Sequence, residues 1–223
     1  MQIKPIPVFI ISYNRPTYLK RIINWLEKIS NIEIIIVDNM STYQPLLDFY
    51  KETKYEVIKL KENLAGDSPW HAMSQHPVTT DYFIVTDDDV LPIDECPLDA
   101  VDKFIGKLES NPEIHHVGFS LKIDDIPNHY PYRNLAFNNE ARFWGKMTAD
   151  GYFEACIGTT FAVYRKGAGR FSEGDALRSS YPYTAKHLPF YEDFGNLTEE
   201  QKFYLNSVVH NKTAYSEKGK EQL

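Results

Sequence analysis

Four strand-like runs in the first half of the chain, three of them apolar and largely β-branched, each break off at a polar stretch, and this repetition constrains the fold most. Ile6 to Ser12 is followed by Tyr-Asn-Arg-Pro, and Ile32 to Val37 stops at Asp38. Tyr55 to Leu60 gives way to a polar stretch, and Tyr82 to Thr86 runs straight into Asp87-Asp88-Asp89. Runs this short and this apolar read as buried strands. Helical patterns lie between them. Pro16 opens a helix at a favoured first-turn position, with Leu19, Ile22, Ile23, Leu26 and Ile29 on one face. Shorter helices are expected over Pro45 to Lys51 and Ser68 to Gln75. Pro97 begins another, whose apolar face carries Leu98, Val101, Phe104, Ile105 and Leu108. Val117 to Leu121 reads as a fifth strand. Strands alternating with helices imply an α/β fold with a mostly parallel central sheet flanked by helices. Such sheets bind ligands beyond the carboxyl ends of their strands. Those ends carry Ser12-Tyr13-Asn14, Asp38-Asn39 and the aspartate triplet.

The second half has a different texture. Asp124 to Glu140 is polar and aromatic and reads as a long loop. Arg142 to Met147, Tyr152 to Ala155 and Thr159 to Arg165 read as shorter strands of a smaller antiparallel region. Phe171 to Phe190, rich in Ser, Tyr and Pro, suits a segment that covers a site. A final helix starts at Thr198, where Thr-Glu-Glu-Gln matches a capping box, and the tail from Lys212 is polar.

Charge narrows the partners. A net charge of −7 argues against nucleic acid, whose phosphates need clustered Lys and Arg, and against polybasic attachment to an anionic membrane. No apolar run approaches the roughly 20 residues of a membrane helix. The two cysteines, Cys96 and Cys156, form no CxxC, which suits a reducing compartment and a cytoplasmic location.

Most familiar chemical signatures are missing: there is no GxxxxGK[ST] and no HExxH. His115 and His116 are adjacent on an expected strand, so they point to opposite faces and share no metal. The triplet Asp87-Asp88-Asp89 is the exception. Three adjacent carboxylates repel one another, and on an extended segment the first and third project to the same side. A hard divalent ion with oxygen ligands relieves that repulsion and keeps positions open for water and a substrate phosphate.

In order, IISYNRPTYLKRII, IIIVDNMS, ENLAGDSPWHAM and YFIVTDDDVLP resemble a nucleotide-sugar-dependent glycosyltransferase of the Rossmann-like GT-A fold, family-2-like. GTTFAVYR and Tyr191-Glu192-Asp193 continue the likeness, which covers most of residues 6 to 195. The resemblance implies one domain over 1–223: a nucleotide-sugar-binding half at 1–121, an acceptor-side half at 122–211 and a polar tail at 212–223. It also implies roles. Ser12, Tyr13 and Arg15 lie where such enzymes hold the nucleoside and its phosphates. Asp38 matches the aspartate that accepts from the base edge, and Asn63 and Gly66 match the turn beneath the nucleotide. Asp87 resembles the ribose or metal contact, with Asp88 beside it, and Asp89 the metal ligand; His187 is a candidate late-loop ligand. Asp193 resembles the general base, with Glu192 and Asp175 as rivals. The acidic residue, Leu and Arg that usually follow that motif are absent after Asp193.

The activity so implied is metal-dependent transfer of a sugar from a nucleotide donor, UDP above all, to an acceptor hydroxyl in glycan or polysaccharide synthesis. Mn²⁺ or Mg²⁺ is the expected cofactor. Trp70, Trp144, Tyr181 and Tyr183 are candidate sugar platforms or core residues. The rival readings are a nucleotidyltransferase and a non-catalytic sugar-nucleotide-binding module.

Overall fold

The computed structural model describes residues 4–170 and 176–208. Asp175 and the tail 212–223, which figure in the sequence reading, lie outside the described residues.

The chain opens with β1 (Ile6–Ser12), α1 (Pro16–Leu26), β2 (Ile32–Asp38), α2 (Gln44–Glu52) and β3 (Glu56–Lys59). A 3₁₀ turn (Ala65–Asp67) leads into α3 (Ser68–Ala72), then β4 (Tyr82–Asp87), β5 (Val90–Pro92) and α4 (Ala100–Glu109). β1 pairs in parallel with β2 and with β4, and β2 with β3. Consecutive residues of each central strand feed opposite cores. Val8, Ile10, Ile34, Ile36 and Ile84 pack against α1, α2 and α4, while Phe9, Ile11, Ile35, Val37, Phe83 and Val85 pack on the α3 side. A sheet covered on both faces needs strands that are apolar at every position, which is why these runs do not alternate.

The second half departs from the sequence reading in instructive ways. β6 (His116–Gly118) and β7 (Ser120–Leu121) replace one expected strand and enter different sheets. The expected long loop contains α5 (Arg133–Ala141). One inward residue of α5 is Glu140, whose Oε2 lies 3.0 Å from Nη1 of buried Arg178, so its apolar stripe is too weak to read. Arg142 to Met147 is not a strand. Arg142–Trp144 is a 3₁₀ turn, with the Arg178 guanidinium 4.0 Å from the Phe143 ring and Trp144 against Phe153. There follow β8 (Phe153–Glu154), β9 (Ala162–Arg165), β10 (Ala176–Arg178), β11 (Thr184–His187) and α6 (Glu199–Ser207). The helix expected from Pro97 begins at Ala100, leaving Leu98 49% exposed.

Among the described residues the large sheet runs β3-β2-β1-β4-β9-β6-β10-β8. β9 is antiparallel to both β4 and β6, and β10 lies parallel to β6. The smaller sheet, β5-β11-β7, is mixed: β11 is antiparallel to β5 and parallel to β7. It begins directly after Asp89 and brings β11 beside the aspartate triplet.

Gly118 makes the switch between sheets possible. A Cβ there would stand 2.3 Å from Phe161 O and 2.9 Å from Ala162 Cα, both backbone atoms that cannot swing away. Gly118→Ala is therefore expected to cost about 1–3 kcal/mol of stability by overpacking, read as a lowered urea midpoint with an unchanged m-value.

Candidate functional site

The site forms where β1, β2 and β4 end together. Their register places Ser12 opposite Asp38 and Ile11 opposite Asp87. The strands then splay into loops joined by side chains. Asn14, at φ 56, is held by its own amide: Oδ1 accepts from the N–H groups of Thr42 (2.7 Å) and Tyr43 (2.9 Å). Asp38 is buried, and its Oδ1 accepts from Ser41 N–H (3.0 Å) and Tyr50 O–H (3.2 Å). The same Tyr50 oxygen lies 2.9 Å from Ser12 Oγ, whose hydroxyl can donate to it. Asn39 builds the next turn, donating from Nδ2 to Ala65 O and Ser68 Oγ and accepting at Oδ1 from Leu64 N–H. Asn63 and Gly66 lie in that turn, with Asn63 Oδ1 accepting from Ala65 N–H.

The aspartate triplet is not extended. Asp87 ends β4, and Asp88 and Asp89 form a tight turn before β5. Burial of this turn is balanced by Arg15. Its Nη2 lies 2.6 Å from Asp88 Oδ1 and its Nη1 2.7 Å from Asp89 Oδ2. The guanidinium lies 4.1 Å from the Tyr204 ring of α6 and 5.5 Å from the Tyr18 ring of α1. His187, at the end of β11, places Nε2 3.4 Å from Asp89 Oδ2. Asp87 Oδ2 accepts from Thr159 O–H at 2.7 Å.

These contacts divide the carboxylates. Burial pushes Asp87 up to about 7, with the Asp89 charge adding to the effect. Burial pushes Asp88 up to about 8 against the pull of Arg15. Burial alone would raise Asp89 too, but Arg15 and then His187 outweigh it and hold that carboxyl well below the usual range. His187 is raised, since the attraction of Asp89 exceeds the penalty of burial.

Among the described residues, no three of the His, Cys, Asp and Glu side chains are grouped as a ready-made metal cage. Asp89 Oδ1 is nevertheless buried and has no hydrogen-bond partner among those residues. With Asp87 beside it, the donor set fits a hard cation that takes one or two protein carboxylates and completes its shell with phosphate and water.

Ser12, Tyr13, Arg15, Asp38 and the triplet are thus brought to one edge. Tyr13 donates from its hydroxyl to Ser207 O, in α6, at 2.9 Å. Glu192 joins the edge from behind. It is buried, its Oε1 accepts from Tyr18 O–H at 2.6 Å, and burial raises its pKa while Arg15 pulls it down. Asp193 is not drawn in. Its carboxylate is exposed and accepts from Gly195 N–H and Asn196 Nδ2 in a local turn. Of the aromatic candidates, Trp70 packs on Phe83 and Tyr164, Trp144 packs on Phe153, Tyr183 donates to Asp99, and Tyr181 is 68% exposed. The sequence reading placed Asn14 and Asn39 at these strand ends but gave them no role; the structure makes them the side chains that fasten the loops. The helix expected from Thr198 is α6, capping box included, but its contacts with Tyr13 and Arg15, made from residues nearly 200 positions away, were not legible.

The sequence model of glycosyl transferase family 2 matches residues 8–170. Among solved structures, the chain is similar to residues 1–349 of TarS from S. aureus, at 14% identity and TM-score 0.44, covering 73% of this chain and 47% of that one. It is similar to glucosyl-3-phosphoglycerate synthase from Mycobacterium tuberculosis, at 13% identity and TM-score 0.44, covering 73% and 57%. It is also similar to 4-diphosphocytidyl-2C-methyl-D-erythritol synthase from Anaerococcus prevotii, at 12% identity and TM-score 0.48, covering 91% and 97%. The chain thus spans from about a quarter to somewhat over half of the first relatives' length. No curated protein matches the chain in sequence. Among the described residues, no helix is long and apolar enough to cross a membrane.

Removing Arg15 would strip Asp89 of its counterion and Asp88 of its charged hydrogen-bond donor. Arg15→Ala is expected to lose about 3–5 kcal/mol in urea denaturation, and adding Asp88→Asn in the same chain should recover part of it. Equal stability of Arg15→Ala and wild type would remove Arg15 from this role.

Proposed function

The chain belongs to glycosyl transferase family 2, and on that premise we propose that it transfers a sugar from a nucleotide donor, UDP-linked, to an acceptor hydroxyl with the help of a divalent cation. The observation that carries this reading is the convergence of Ser12, Asp38, Asp87 and Asp89 on one sheet edge, with the buried Asp89 Oδ1 lacking a hydrogen-bond partner among the described residues. In this reading Asp38 accepts from the nucleobase edge, Ser12 and Tyr13 flank the nucleoside, and the turn of Asn63 and Gly66 lies beneath it. Asp89 and Asp87 would hold Mn²⁺ or Mg²⁺, which when bound neutralises charge on the departing diphosphate. His187, already against Asp89, would steady that carboxylate from the side of the smaller sheet.

The reaction joins the acceptor oxygen to the anomeric carbon of the sugar. The bond from that carbon to the β-phosphate oxygen breaks, UDP leaves with the electron pair, and the acceptor proton passes to a carboxylate. Glu192 suits that last task better than Asp193. It shares an electrostatic environment with Asp89 and Arg15, and its raised pKa moves it toward the range in which a carboxylate exchanges protons at neutral pH. Asp193, the residue favoured by resemblance, is occupied by its own turn.

Two outcomes test this reading. Incubated with a UDP-sugar, an acceptor and Mn²⁺, the protein should release UDP; release of pyrophosphate from a nucleoside triphosphate and a sugar phosphate, with no UDP released in the first assay, would assign it to nucleotidyl transfer. Asp89→Asn should abolish the Mn²⁺ dependence of UDP binding in calorimetry. Separately, Glu192→Gln should lower kcat by about 10²–10⁴-fold with UDP affinity retained, while Asp193→Asn stays near wild type. The reverse pattern would return the base to Asp193.

A further inference from the structure

We propose that Arg170 is a donor-binding residue that takes the phosphates of the nucleotide, an inference that rests on the donor reading above. Arg170 comes from the far half of the family-matched region, just after β9, yet its guanidinium lies on the backbone of Gly66. A Cβ at Gly66 would stand 2.3 Å from Nη2, 2.4 Å from Cζ and 2.9 Å from Nε of Arg170. Only glycine lets the flat guanidinium settle on this turn. The turn is in turn fastened to the end of β2 by Asn39. On the other side, the loop that delivers Arg170 is anchored by the hydrogen bond from Trp70 Nε1–H to Ala168 O at 3.0 Å.

Electrostatics give the position its meaning. The sheet edge concentrates three aspartates, so an anionic donor meets repulsion there. Arg15 offers little relief, because both of its terminal nitrogens are spent on Asp88 and Asp89 in a buried setting. Arg170 is differently placed. Its side chain is 24% exposed, and its Nη1 lies 2.9 Å from Oδ1 of Asp67, a carboxylate that is itself largely open to solvent. Such a surface pair is worth only about 0–1 kcal/mol, so exchanging the Asp67 contact for a phosphate oxygen costs little. Ala168 of the same loop packs on the cluster of Val85 and Tyr164, which places the loop on the α3 side of the sheet. A guanidinium in this place can meet phosphate oxygens through two parallel N–H groups, a geometry lysine does not reproduce.

Titrations of UDP and of uridine into the wild type, Arg170→Ala, Arg170→Lys and Asp67→Asn test the assignment, with melting temperatures recorded for each. Arg170→Ala should weaken UDP by at least about tenfold and leave uridine within about twofold, since only the phosphates lose a charged partner. Arg170→Lys should fall between the two. Asp67→Asn, which removes the competing carboxylate, should bind UDP as tightly as wild type or more tightly. Unchanged UDP affinity in Arg170→Ala would overturn the proposal. So would an equal loss of UDP and uridine, or a loss in Asp67→Asn matching that of Arg170→Ala, because either would reduce Arg170 to a clamp on the turn. Failure of the wild type to bind UDP at all would instead overturn the donor reading itself.

Discussion

The pairing of Arg15 with Asp88 and Asp89 is the interaction on which the rest of the structure depends. Three consecutive carboxylates at the end of a buried strand can leave water only by gaining a countercharge or a proton. Arg15 is available because β1 ends next to β4, so the loop leaving one strand lies beside the turn leaving the other. Its placement then recruits other elements. The guanidinium lies over the rings of Tyr18 and Tyr204, Glu192 bonds to Tyr18, and Glu200 at the start of α6 accepts from Thr17 N–H in the first turn of α1. One charge balance thus ties the first helix to the last.

The same balance leaves a definite asymmetry. Asp88 is committed to structure, Asp89 gives one oxygen to Arg15 and His187 and keeps the other, and Asp87 is held by a threonine hydroxyl. A fold that spends its buried arginine internally must draw positive charge for a diphosphate from elsewhere. That need is what gives a divalent cation, and Arg170 over the Gly66 turn, their place in the proposed reaction. The two-sided core supplies the rigidity. With hydrophobic residues on both faces of β1, β2 and β4, these three strand ends cannot shift independently, so their polar residues keep a fixed spacing.

Much of this was legible without coordinates. The unbroken apolar runs marked the two-sided strands, and the polar residues that terminate them marked Ser12, Asp38 and the triplet as neighbours. The second half was less legible because its elements are short and stabilised from a distance. α5 carries an inward glutamate whose partner lies 38 residues further on. The apparent strand at Arg142 to Met147 owed its pattern to aromatic residues that pack around a 3₁₀ turn. Gly118 divides what looks like one strand because two backbones approach each other there, and nothing in the local sequence announces that approach.

The sequence by itself determined the parallel core, the edge at which the polar strand ends gather and the family to which the chain belongs, because these follow from local periodicity and from an ordered set of motifs. The tertiary structure alone decided which charges face which. It turned Arg15 inward onto Asp88 and Asp89, buried Glu192 while leaving Asp193 in solvent, and carried Arg170 across to Gly66. The physical reason is that electrostatic roles depend on distance and burial, and both are set by contacts between residues tens to hundreds of positions apart.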